Sequence, residues 1–144
     1  MDVKELTVGT KLYLPVFVKG ALFGAGDVHA VQADGELCVS AIEVPAEIVV
    51  RFGLVKGKKP RWPILETDDS YAILACGETL DEAAKYATEA AVEALMREYH
   101  WSFETSYMFA SLTVNLRINQ VVDPKKGVRA AIPKDLIALN SLMV

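Results

Sequence analysis

The feature that most restricts what this chain can fold into is a helix start at Thr79-Leu80-Asp81-Glu82. It reads as a capping box, in which the Thr79 hydroxyl and the Glu82 carboxylate each satisfy an orphan amide of the first turn. Asp81 and Glu82 also suit the positive end of the helix dipole. Downstream, Leu80, Ala83, Ala84, Ala87, Ala91, Ala94 and Leu95 recur at helical spacing and predict a helix to about Tyr99. A stripe carrying so many alanines permits close approach of a sheet or a second helix. His100 fits a C-terminal cap, and Ser102 can cap a second helix from Phe103 to roughly Asn115.

The first half reads as strands. Lys11 to Val18 is rich in β-branched and aromatic residues and ends at Lys19-Gly20, a turn signal. Pro15 lacks an amide donor, which favours a sheet edge or a bulge. Leu37 to Glu43 and Glu47 to Val55 are two further strand candidates separated by Pro45. Arg61 to Glu66 and Tyr71 to Ala75 flank Thr67-Asp68-Asp69-Ser70, whose composition is that of a turn. After the helices, Leu116 to Val122 and Val128 to Ile132 predict a β-hairpin. Asp123-Pro124-Lys125-Lys126-Gly127 fits a type I turn between them, with Gly127 in the left-handed position. The expectation is an α+β fold over residues 1–144 as a single domain: mainly antiparallel strands, two packed helices, then a C-terminal hairpin.

Net charge is −4 and 52% of residues are apolar. The acidic balance argues against a nucleic-acid partner, because phosphate binding needs a basic face. The one basic cluster, Lys56, Lys58, Lys59 and Arg61, reads as a solvated loop. No apolar run is long enough for a membrane span and Met1 to Glu5 lacks a signal-peptide pattern, so a cytoplasmic location is expected. Cys38 and Cys76 lack metal or disulfide spacing and are expected to be small buried apolar residues.

Chemistry concentrates between Gly24 and Glu36, where Asp27, His29, Gln32, Asp34 and Glu36 lie among three glycines. If Asp27 to His29 is extended, the two side chains share a face. A turn at Asp34-Gly35 would fold Glu36 back toward them. An imidazole with two or three carboxylates can bind a divalent metal and leave room for water. It can also divide proton transfer between a base and an acid. The same residues equally suit a turn whose acids only cap backbone amides. A dinucleotide loop at Gly24-Ala25-Gly26 is disfavoured, since His29 stands where the third glycine belongs.

These pieces resemble the acetamidase/formamidase family. The matching segments are Gly26-Asp27-Val28-His29-Ala30 with Asp34-Gly35-Glu36, then Glu78 to Ala83, then Gln120-Val121-Val122-Asp123-Pro124 with Arg129 and Pro133-Lys134. The resemblance implies hydrolysis of formamide, acetamide and related small amides to a carboxylic acid and ammonia. It implies Asp27, His29 and Glu36 as catalytic or metal-site residues, with Gln32 and Asp34 beside them binding substrate, and allows a divalent metal such as zinc.

The first ten residues resemble a mid-chain segment of the family, so the chain corresponds to its C-terminal half. That implies a homo-oligomer or a separate N-terminal-half chain as partner, and an alternative role as a non-catalytic assembly or small-molecule-binding module. Two positions depart from the family pattern: Asn115 stands for an aspartate, which could remove a carboxylate from the site, and Ala33 for a glycine.

Overall fold

A computed structural model describes all residues, 1–144. Five strands form one sheet: β1 (Lys11–Tyr13), β2 (Ile64–Glu66), β3 (Ser70–Gly77), β4 (Asn115–Gln120) and β5 (Lys126–Pro133). Their order is β1-β2-β3-β5-β4, and every neighbouring pair is antiparallel. Two helices, α1 (Leu80–Tyr99) and α2 (Phe103–Thr113), connect β3 to β4, and two short 3-10 turns close the chain. The α+β expectation therefore holds. No helix is long and apolar enough to cross a membrane.

Helix α1 starts where the capping box places it. Thr79 Oγ1 accepts the Glu82 amide at 3.2 Å, while the Glu82 carboxylate reaches one residue further back, to the Glu78 amide at 2.9 Å. Ala83, Ala87, Ala91 and Ala94 are buried against the sheet face formed by Ile64, Ile73, Ala75, Val128, Ala130 and Ile132. Methyl-sized side chains let helix and sheet backbones come close. The approach is tightest at Gly77, where a Cβ would lie 2.7 Å from Glu82 Cβ and 2.8 Å from the Ala83 nitrogen. The αL conformation of His100 ends the helix as expected of a cap.

Alternation along the strands sends a second set of side chains to the opposite face. There Leu65, Ala72 and Leu74 pack with Val3 in a small cluster, and Arg129 of β5 points to this side as well. The N-terminal segment and the turn near residue 35 dock on this face.

Several local expectations change. Only Lys11–Tyr13 of the first candidate strand joins the sheet, as the chain leaves before Pro15. Leu37 to Glu43 contributes a single bridge, His29 to Glu43, and Glu47 to Val55 pairs with nothing. β-branched sequence favours extended backbone, but a strand exists only beside a partner, and the chain brings none there. Gly127 lies within β5 without positive φ; its small size matters instead, because a Cβ would sit 3.2 Å from Asn119 Cβ at the β4 bulge. Both cysteines are exposed. Cys38 lies in the unpaired arm, and Cys76 follows Ala72 and Leu74 on their face but beyond the reach of the small cluster.

Candidate active site

The polar stretch does fold back on itself, though not as a plain hairpin. Asp27 adopts positive φ (59°) and is not extended. Convergence comes from an irregular pairing in which the amides of Ala30, Ile42 and Val44 bond to the carbonyls of Ile42, Val31 and Val28. This pairing sets His29 opposite Glu43.

The His29 ring is 7% exposed and its edges are fully engaged. Nδ1 lies 3.1 Å from Gln32 Oε1, a contact that requires the proton on Nδ1. Nε2 faces Glu43 at 2.8 Å, Asp27 at 3.1 Å and Glu36 at 4.0 Å. The hydrogen bond to Gln32 and the charges of Glu43, Asp27 and Glu36 raise the imidazole pKa against the opposing effect of burial.

Glu36 connects this group to a second one. Its side chain is 4% exposed, and its carboxylate gathers with those of Asp2 and Asp123. Burial, reinforced by repulsion from Asp2, pushes the Glu36 carboxyl above its ordinary value, and burial with the neighbouring Asp2 does the same to Asp123. The turn that carries Asp123 is ordered by Gln120, whose Oε1 accepts the amides of Val122 and Asp123 at 2.9 and 3.0 Å. Glu36 is delivered by Gly35, which lies between the Asn119 carbonyl and the Val121 amide at 2.9 and 3.0 Å. At φ 97°, with Leu37 Cδ2 3.0 Å from where a Cβ would stand, only glycine fits there.

Asp34 points elsewhere. It accepts from Arg129 Nη2 at 2.7 Å and meets Lys4 Nζ at 3.1 Å. Burial acts to raise its pKa, but these two cations outweigh it and hold the carboxyl below its usual range. Arg129 is 2% exposed and also donates to Glu5 at 2.7 Å, Asn119 Oδ1 at 2.8 Å and the Ile118 carbonyl at 3.2 Å. The structure thus gathers Asp27, His29, Gln32 and Glu36, and uses Asp34 to anchor the loop.

Reading the sequence missed Glu43, Asp2, Asp123, Lys4 and Arg129 as neighbours of the site. Glu43 was findable: residues 29 and 43 are equidistant from the turn at 36. Asp2 and Asp123 reach the site only through tertiary packing and carry no local signal. Asn115 opens β4 at the end opposite Gln120, about 16 Å along the strand.

Fold and cluster together define an α+β unit that brings one imidazole and several carboxylates to the sheet face away from the helices. The acetamidase/formamidase family matches residues 1–138, and the chain belongs to that family. It is 37% identical over 95 residues to a formamidase of Methylophilus methylotrophus, a match spanning 58% of this chain and 23% of the relative. An acetamidase of Mycolicibacterium smegmatis is 42% identical over 57 residues, or 39% of this chain and 14% of the relative. The solved structure of a predicted acetamidase/formamidase from Thermoanaerobacter tengcongensis superposes with a TM-score of 0.84 at 36% identity. That likeness covers 88% of this chain and 42% of the other. The chain therefore spans less than half the length of that relative.

Proposed function

We propose that this chain supplies one half of an active centre that hydrolyses small linear amides of the formamide and acetamide type, releasing ammonia and a carboxylic acid. The observation that carries this reading is the placing of three carboxylates around His29 Nε2, at 2.8, 3.1 and 4.0 Å, in a member of this family. The named relatives support the substrate class, since one is a formamidase and another an acetamidase.

Each residue has a definable part. Gln32 fixes the ring by holding Nδ1, which leaves Nε2 as the working edge. Glu43 and Asp27, both more than half exposed, are the members of the set that solvent reaches. Glu36 keeps its proton to a higher pH than an ordinary carboxyl and can pass it to the departing nitrogen. The nucleophilic water loses a proton to a carboxylate or to His29 as its oxygen bonds to the amide carbon. Protonation of the nitrogen then releases ammonia.

The donor set also fits a divalent metal such as zinc. His29 with Asp27 and Glu43 offers one nitrogen and two carboxylate oxygens within 4.8 Å of one another, with Glu36 outside that set. An ion held there would supply Lewis-acid polarisation of the carbonyl.

Two measurements test the reading. Ammonia release from formamide and acetamide is followed with the chain alone and with a polypeptide carrying the family's N-terminal half. His29→Ala is expected to lower turnover by about 100-fold or more while circular dichroism stays unchanged. Unchanged turnover in that variant removes the histidine from the chemistry.

One observation favours a second reading, a small-molecule-binding or assembly module completed by a partner. Asp27 and Glu43 are 64% and 53% exposed, so this chain alone does not wall the site off from water. Saturable amide binding without turnover, with or without the second polypeptide, selects that reading.

A further inference from the structure

Between Val44, whose amide bonds to the Val28 carbonyl, and Lys59, which exchanges two backbone hydrogen bonds with Val144, the chain runs as an arm. Within the arm, residues 45–58 make no backbone hydrogen bond to any part of the molecule. They nevertheless include Ile48-Val49-Val50 and Phe52, all exposed, with Val49 95% accessible. A β-branched, apolar run with every amide and carbonyl unpaired is open to pairing with another strand. Its sequence is that of a strand; Phe52 meets the Phe23 ring edge-on at 5.0 Å, and what the run lacks is a backbone partner.

We propose that residues 46–52 pair antiparallel with the same residues of a second copy of this chain, about a two-fold axis at Val49. Charge selects both partner and register. Glu47 and Arg51 have no ion-pair partner in the chain. Along one strand they lie about 13 Å apart, too far to pair with each other. Centred on Val49, the two-fold pairing puts Glu47 of each copy opposite Arg51 of the other, twice. Val49 then meets Val49, and Ile48 meets Val50 on the other face. Moving the centre two residues toward the C-terminus sets Arg51 opposite Arg51, which repels. Moving it two toward the N-terminus sets Glu47 opposite Glu47 and would bring Arg51 opposite Glu43, but Glu43 is already held in the bridge that faces His29. Shifts by one leave both charges facing apolar residues or glycine. Pro45, which has no amide to offer, falls just outside the paired stretch. This inference does not depend on the amide-hydrolase reading and is tested without turnover.

The test uses the purified chain with Cys38→Ser and Cys76→Ser, because both cysteines are exposed. Val49→Cys in this background is expected to give a disulfide-linked dimer on mild oxidation, whereas Val44→Cys, five residues off the axis, should not. Light scattering should find Glu47→Arg and Arg51→Glu each dimerising about tenfold more weakly, since each places two like-charge pairs across the strands. The double variant Glu47→Arg/Arg51→Glu should return to within about twofold of the parent. A monomer at about 100 μM, or a dimer indifferent to both reversals, overturns the proposal. So does a chain that stays monomeric until a polypeptide with the rest of the family fold is added, which would assign the arm to that occupant. Circular dichroism of each variant confirms folding, as none of these side chains packs in the core.

Discussion

Glu36 carries its charge, or its proton, where both are awkward. It is nearly buried and faces two other acids with no hydrogen bond of its own. The folded chain holds the Glu36 proton above the ordinary value near 4.5, so ionisation works against the fold as pH rises through the raised value. His29 acts in the same direction: its raised pKa gives stability that is complete below 6.5 and lost as pH climbs past the folded value. The thermal midpoint should therefore fall between about pH 5 and pH 8, and Glu36→Gln should flatten that fall. A midpoint that rises over this range contradicts the placement. Arg129 is the opposite case, a buried cation that neutralises Glu5 and Asp34. Arg129→Met leaves Asp34 with Lys4 alone and Glu5 with the more distant Arg117, and should cost about 3 kcal/mol in urea unfolding. The sequence marks Asp27, His29 and Glu36 through residue type and the glycines around them. It says nothing of the Asp34 to Arg129 pair, because 95 residues separate them.

Among the elements, helix α1 was legible almost to the residue and the arm was not, and the difference is physical. A helix satisfies its own backbone, so cap and stripe are both written locally: Thr79, Glu82 and the alanines suffice. Thr79→Ala should then cost about 1 kcal/mol, measured as a shift in the urea midpoint at constant slope. A strand borrows its hydrogen bonds from elsewhere. Lys126–Pro133 found partners in both β3 and β4, whereas Glu47 to Val55, equally β-prone, found none. Local composition gives the tendency to extend and leaves the neighbour unspecified.

For the molecule as a whole, the sheet and its helices form a body on which the turn at Asp34-Gly35-Glu36 docks, while residues 45–58 run past it with no backbone hydrogen bond. Amide hydrogen exchange should divide the same way. At concentrations too low for association, residues 45–58 should exchange at near-intrinsic rates while β3 and β5 stay protected. Slow exchange across 45–58 in a dilute monomer would require partners that the fold does not contain.

The grip of Arg129 on Glu5 and Asp34 has a consequence for the order of events during synthesis. Its two acids leave the ribosome 124 and 95 residues ahead of it. Until β5 emerges, the turn bearing Glu36 has only Lys4 of its two cations to hold it. The half-site is thus set in full only once β5 has been made and has folded onto the sheet.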